Sequence, residues 1–115
     1  MSSRASEWTR ELPAAITVCD ATGTILAMND RAQATFAADG GAALIGRKLQ
    51  DCHPPRARAI LEELLVSGRP NHYTIRKAGQ RKIIHQLPWY QDGALAGLVE
   101  LSIPIPDELP EFDRG

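Results

Sequence analysis

Apolar residues alternate with polar ones toward both ends of the chain and take helical spacing between them. Trp8 and Leu12 lie on one face of a short helix that Ser2 or Ser3 can cap and Pro13 ends, with Arg4 and Glu11 at its margins. Residues 14–19 are rich in β-branched side chains and predict a strand. The turn Asp20-Ala21-Thr22-Gly23 then leads into a second strand over 24–28, giving a hairpin. Asn29 or Asp30 caps a helix over 31–38, which Gly40-Gly41 stops. Between 42 and 53 the pattern is irregular, with Leu44, Ile45 and Leu49 as apolar anchors and Gly46 as a break, and predicts one or two brief helical turns. Pro54-Pro55 suits a first helical turn, and Ile60, Leu61, Leu64 and Leu65 follow at helical spacing before Gly68 closes the helix. The remainder predicts strands over 71–77, 81–90 and 94–103, joined by Ala78-Gly79 and Asp92-Gly93 as hairpin turns. The tail from Pro104 to Gly115 holds three prolines and four acidic residues and reads as extended or disordered.

Composition narrows what this pattern can serve. One hundred and fifteen residues, 43% hydrophobic, suffice for one compact core. Thirteen Lys and Arg against fourteen Asp and Glu leave a formal net charge of −1, so nothing favours a nucleic-acid backbone or an anionic membrane as partner. The two cysteines, Cys19 and Cys52, form no Cys-x-x-Cys pair and read as reduced thiols of a cytoplasmic protein. Neither a signal peptide nor an apolar run of membrane-spanning length is present. No nucleophile–base–orienter spacing, glycine-rich phosphate loop or metal motif appears, so the expectation is a protein that is not an enzyme.

Two strands, several short helices and three strands, in that order, resemble the PAS (Per-Arnt-Sim) fold, and three joints carry the resemblance. Asp20-x-x-Gly23-x-Ile25 with Asn29 resembles the PAS opening hairpin and helix start. Gly46-Arg47-Lys48-Leu49-Gln50-Asp51-Cys52-His53-Pro54 resembles the middle signature that precedes the long helix. Gly93-Ala94-Leu95-Ala96-Gly97-Leu98-Val99 is similar to the start of the last strand. The resemblance implies an α+β fold: a five-stranded antiparallel sheet with short helices on one face. Residues 1–12 would form an N-terminal flanking helix, 13–104 the PAS domain and 105–115 the tail. The usual Asp-Ile-Thr exit is replaced here by Pro104-Ile105-Pro106, from which a helical signalling linker does not readily start. With no effector following in the sequence, output would pass through association with a second copy or a separately encoded signalling protein.

Strand pairing nominates the polar residues of a site. If Asp92-Gly93 is a two-residue loop, Gln91 faces Ala94, and uninterrupted pairing sets His85 opposite Glu100, Ile83 opposite Ser102 and Leu87 opposite Leu98. Ile84, Gln86, Val99, Leu101 and Ile103 fall on the other face. By the resemblance, Leu98, Glu100 and Ser102 point inward, so the expected ligand pocket comprises Leu44, Leu49, Cys52, His53, Ile60, Tyr73, His85, Leu87, Leu98, Glu100 and Ser102. A solvated His85–Glu100 surface pair is an equal alternative. The expected dimer or partner face comprises Trp8, Leu12, Ile84, Val99, Leu101 and Ile103.

The function this implies is a sensory module that binds a small ligand and transmits through homodimer or partner contacts. The alternative is a ligand-free interaction module filled by its own side chains, and a haem sensor is a lesser one. Cys52-His53 invites haem ligation, but the helix over 56–66, where haem-bearing relatives of this kind place their ligand, contains no histidine. A light-sensing flavin site is disfavoured, because Gly46 is followed by Arg47, Lys48 and Leu49 where that family has its Asn-Cys. Arg76, Lys77, Arg81 and Lys82 flank a hairpin turn and read as solvated edge charges rather than an anion site.

Overall fold

A computed structural model describes residues 4–115, with side chains from Glu7 onward. The expected Ser2 or Ser3 cap lies outside the described residues. Helix α1 spans Arg4–Arg10, strands β1 and β2 span Ala15–Asp20 and Ile25–Met28, and α2 spans Asp30–Thr35. Three single 3-10 turns, Ala37–Asp39, Gly41–Leu44 and Leu49–Cys52, lead to α3 (Pro55–Ser67). Strands β3 (Asn71–Lys77), β4 (Gln80–Gln91) and β5 (Ala94–Ile105) follow. The five strands form one antiparallel sheet in the order β2-β1-β5-β4-β3.

Asn29 ties the N-terminal half together. Its Oδ1 accepts from Ala32 N–H at the start of α2 (3.0 Å) and from Ile16 N–H in β1 (2.9 Å). Its Nδ2 donates to the carbonyls of Thr9 and Ala14, both at 2.8 Å. One buried side chain thus caps a helix and bonds backbone groups on both sides of the α1–β1 junction. In the β1–β2 turn, Asp20 Oδ1 accepts from Thr22 N–H (2.9 Å), the Thr22 hydroxyl (2.7 Å) and Thr24 N–H (3.0 Å). The hydroxyl bond leads in holding the Asp20 carboxyl below its ordinary 3.8.

The irregular segment after α2 closes the free edge of β2. Ile25 N–H donates to Arg47 O, Gly46 N–H to Ile25 O and Leu49 N–H to Gly23 O, each at 2.8 Å. Two of the three sequence joints therefore dock on each other through backbone. Helix α3 buries Leu61, Leu64 and Leu65 against the sheet, which contributes about 1.5–3 kcal/mol per side chain. They join Cys19, Ile25, Leu44, Leu49 and Leu98 in a single core on the inner face.

The β4–β5 ladder departs from the expected register. Gln91 faces Ala94 and Tyr90 faces Leu95, as a two-residue loop requires, but Trp89 then faces Gly97, leaving Ala96 as an extra residue. From there every pair is displaced by one: Gln86 faces Glu100, His85 faces Leu101 and Ile84 faces Ser102. A one-residue slip exchanges the faces of a strand, so Gln86 and Ile84 turn inward and His85, Leu87 and Ile83 turn outward. Gly97 is held against β1 so closely that an added Cβ would overlap the Cys19 carbonyl oxygen. The Trp89 indole reaches the same carbonyl, donating at 2.9 Å.

Two prolines in central strands have a matching explanation. Pro88 lies just past the last β3 pairing, Asn71 with Gln86, and Pro104 just past the last β1 pairing, Ala15 with Ser102. Each needs a hydrogen-bond partner on one side only. Strand β5 accordingly continues to Ile105, two residues beyond the expectation, and Asp107 is fastened to Arg76 (2.9 Å).

Two outcomes follow. Gly97→Val should cost about 1–3 kcal/mol in urea unfolding, the range for overpacking. Both meander loops have positive φ at each central residue, and Ala78 (φ 51°) carries that conformation without a side chain suited to it. Ala78→Asn, which makes an Asn-Gly turn, should add about 0.5–1 kcal/mol by the same assay.

Candidate functional site

A polar row crosses the apolar inner face of the sheet. Thr17, Glu100, Gln86 and Asn71 are successive register partners on β1, β5, β4 and β3. Asn71 Nδ2 donates to Gln86 Oε1 (2.8 Å), and Gln86 Nε2 donates to Glu100 Oε2 (2.9 Å). An ionised carboxylate only accepts, so the Gln86 amide must turn its NH2 to Glu100 and its oxygen to Asn71. The bonds therefore run in one direction and end on a carboxylate that is 9% exposed.

His53, at the entry to α3, faces the same carboxylate. Its Nδ1 lies 3.0 Å from Leu49 O, and because a carbonyl accepts, Nδ1 carries the proton. Nε2 is left facing Glu100 Oε2 at 4.0 Å, beyond hydrogen-bond reach. Two acceptors confront one another unless the ring gains a second proton or a donor group enters between them.

Beside this pair opens a cleft of about 450 Å3, within the range of small-molecule sites. Pro54, Ala57 and Ile60 of the α3 segment and the Tyr73 ring supply apolar walls; His53, Asn71 and Gln86 supply polar groups, and Arg56 completes the lining. Ile60 and Tyr73 are 43% and 41% exposed, so the cleft is open to solvent. Burial, and after it the Glu100 charge, raises the Tyr73 hydroxyl above its ordinary value. Glu100 itself is not among the cleft-lining residues and adjoins them through Gln86 and His53.

Of the expected pocket residues, His53, Ile60 and Tyr73 line this cleft, and Glu100 meets two of its lining side chains. Leu44, Leu49 and Leu98 are instead packed in the core, with Cys52 against it. Ser102 stands on the inner face between Ala15 and Ile84, away from the cleft lining. The bulge moves His85 and Leu87 to the outer face. It also moves Ile84, expected on the partner face, to a buried inner position (5% exposed). Val99, Leu101 and Ile103 are outward as expected, Trp8 is 67% exposed, and Leu12 lies past the end of α1 and is half-buried. Gln86 and Asn71 escaped the sequence reading; the cue was Gly97, a glycine inside a strand pattern, which signals a bulge.

The thiols offer little chemistry. Cys19 is fully buried and burial pushes it up to about 11; burial also raises Cys52. Among the described residues no three His, Cys, Asp or Glu converge as metal ligands, and no helix is long and apolar enough to cross a membrane.

The register makes an energetic prediction. A double-mutant cycle of Gln86→Ala with Glu100→Ala should give a coupling of about 1.5–3 kcal/mol in urea unfolding, as for a hydrogen bond to a charged group. The same cycle with His85→Ala in place of Gln86→Ala should give no coupling outside error.

Comparison with known proteins agrees with this architecture. No curated protein matches the sequence. Among solved structures, the PAS domain of the histidine kinase ThkA is 19% identical with a TM-score of 0.64, over 78% of this chain and 97% of that one. The PAS domain of BvgS from Bordetella pertussis is 22% identical with a TM-score of 0.59, over 91% and 89%. The Aer2 receptor of Vibrio cholerae, described as a dual PAS-heme oxygen sensor, is 15% identical with a TM-score of 0.60, over 81% and 95%. These likenesses establish the fold. A family model of the PAS fold matches residues 9–107, and the chain belongs to that family.

Proposed function

We propose that this chain is a sensory module whose cleft binds a small organic ligand with an apolar body and one hydrogen-bonding amine. The observation that carries the reading is the confrontation of His53 Nε2 with Glu100 Oε2 at 4.0 Å beside apolar walls. An amine placed there can donate one N–H to each acceptor, and a buried carboxylate favours such a partner because its other lone pairs are costly to leave unmet. Binding joins the α3 entry to β3 and β4, so a ligand that fits one packing of these elements better than another shifts their equilibrium. The outer sheet face around Val99, Leu101 and Ile103, together with Trp8, then carries the signal to a second copy or a separate partner. No catalytic step is assigned, and a cytoplasmic setting suits the reduced thiols. Haem is not favoured, since α3 (Pro55–Ser67) contains no histidine.

A second reading has its own support. Leu44, Leu49 and Leu98 fill the space under α3 with side chains, as in an interaction module that needs no ligand. Native mass measurement with an absorption spectrum of freshly purified protein separates the two. The sensory reading expects an added small mass without a Soret band, lost in Ile60→Trp and held about tenfold more weakly by Glu100→Gln. A bare mass for the parent protein, with no small-molecule library component altering its unfolding temperature, supports the interaction module instead.

A further inference from the structure

On the outer face of the sheet a histidine pair adjoins apolar side chains, with Thr74 and the Arg76–Arg81 pair farther along the same two strands. His72 on β3 and His85 on β4 are direct register partners. Their Nδ1 atoms stand 2.8 Å apart, with ring centroids 5.0 Å apart and planes crossing at 74°. Ile83 and Leu87 follow on the same face of β4, and Leu101 stands across from His85 on β5. His72 is exposed and His85 half-buried, so solvent reaches the pair.

A hydrogen bond between two Nδ1 atoms requires one ring to carry the proton and the other to present a lone pair. Without that proton, two lone pairs converge on one spot from strands whose spacing the backbone already sets. The geometry points to a metal site: His72 Nδ1 and His85 Nδ1 together chelate a divalent transition-metal ion of the tetragonal class, Cu2+ or Ni2+. The nitrogen separation of the hydrogen-bonded pair already matches this class. With metal–nitrogen bonds of about 2.0–2.1 Å, donors at this spacing subtend roughly 84–89° at the metal. That angle suits cis positions of a square-planar or tetragonal ion, whereas a zinc tetrahedron needs the nitrogens to part to about 3.3 Å.

Each ring turns roughly 45° from the line joining the two nitrogens to aim at the ion, given bonds of that length. The ring that gives up its Nδ1 proton takes one at Nε2, so a neutral pair binds the metal with no net change in protons. The coordination positions left over go to water or to groups from outside the chain. The site is independent of the ligand-binding reading, because both histidines face away from the cleft.

The test uses untagged full-length protein stripped with chelator, titrated with CuCl2, NiCl2 or MgCl2 while thermal unfolding is followed. Electron paramagnetic resonance is recorded on the copper sample. Unfolding should shift upward by about 5 °C at Cu2+ or Ni2+ concentrations ten times the dissociation constant, and not with Mg2+. Copper spectra should show splitting from two imidazole nitrogens. His72→Asn and His85→Asn should each weaken binding at least tenfold and reduce the splitting to one nitrogen or none, while Ile60→Trp keeps the full response. His72→Asn replaces an exposed edge-strand side chain, and its metal-free unfolding temperature checks that it folds. No shift in the parent protein, or equal shifts in the parent and both histidine variants, would overturn the proposal.

Discussion

Ala96, one residue more than β4 can pair with, decides what the two long strands present to each side of the sheet. Up to Leu95 the ladder follows the tight loop at Asp92-Gly93; beyond Gly97 it runs one residue displaced. Because strand side chains alternate, this displacement reassigns every β4 residue from Trp89 down to Arg81. The bulge is held by a close approach that only glycine permits and by the Trp89 indole bonded to the carbonyl that Gly97 approaches. Slipping back into simple register would lose that bond and carry Gln86 out of the interior.

The consequence is electrostatic. Glu100 lies on a central strand under α3, where an unpaired carboxylate would cost several kcal/mol. Gln86 supplies a donor, Asn71 fixes the orientation of that donor, and His53 approaches without bonding. Gln86 is a neutral amide that both donates to Glu100 and accepts from Asn71. Glu100 is thereby held in position, with its Oε2 bonded to Gln86 and facing His53 at 4.0 Å. The outer face gains what the inner face loses, since His85 is delivered beside His72 among Ile83, Leu87 and Leu101. One inserted residue thus separates a carboxylate site on one face from an imidazole pair on the other.

Much of the architecture was legible in the chain because it rests on local chemistry. A helix cap at Asn29 or Asp30, the turns at Asp20–Gly23, Ala78-Gly79 and Asp92-Gly93, and the helix opened by Pro54-Pro55 all follow from what those residues do to their own backbone, and the structure assigns the cap to Asn29. Strand β3 begins and ends where its pattern placed it. The site was less legible because it depends on how segments far apart in sequence meet. His53, Ile60 and Tyr73 came from the PAS resemblance, whereas Gln86 and Asn71 depended on a bulge whose only mark is Gly97. Leu44, Leu49 and Leu98 have the character of pocket walls, but an apolar side chain that can line a cavity can also fill it, and here they pack in the core with α3. The prolines in β4 and β5 become explicable only when neighbouring strand ends are known.

The register between β4 and β5 is the claim on which the site and the outer-face pair both rest, and backbone nuclear Overhauser effects measure it directly. Cross-strand Hα–Hα contacts in the isotope-labelled protein should fall on alternate members of the series Leu87–Val99, Gln86–Glu100, His85–Leu101 and Ile84–Ser102, with Gln91–Ala94 in simple register on the loop side of Ala96. Contacts placing His85 opposite Glu100 and Leu87 opposite Leu98 would mean that β5 has no bulge, and would contradict the account.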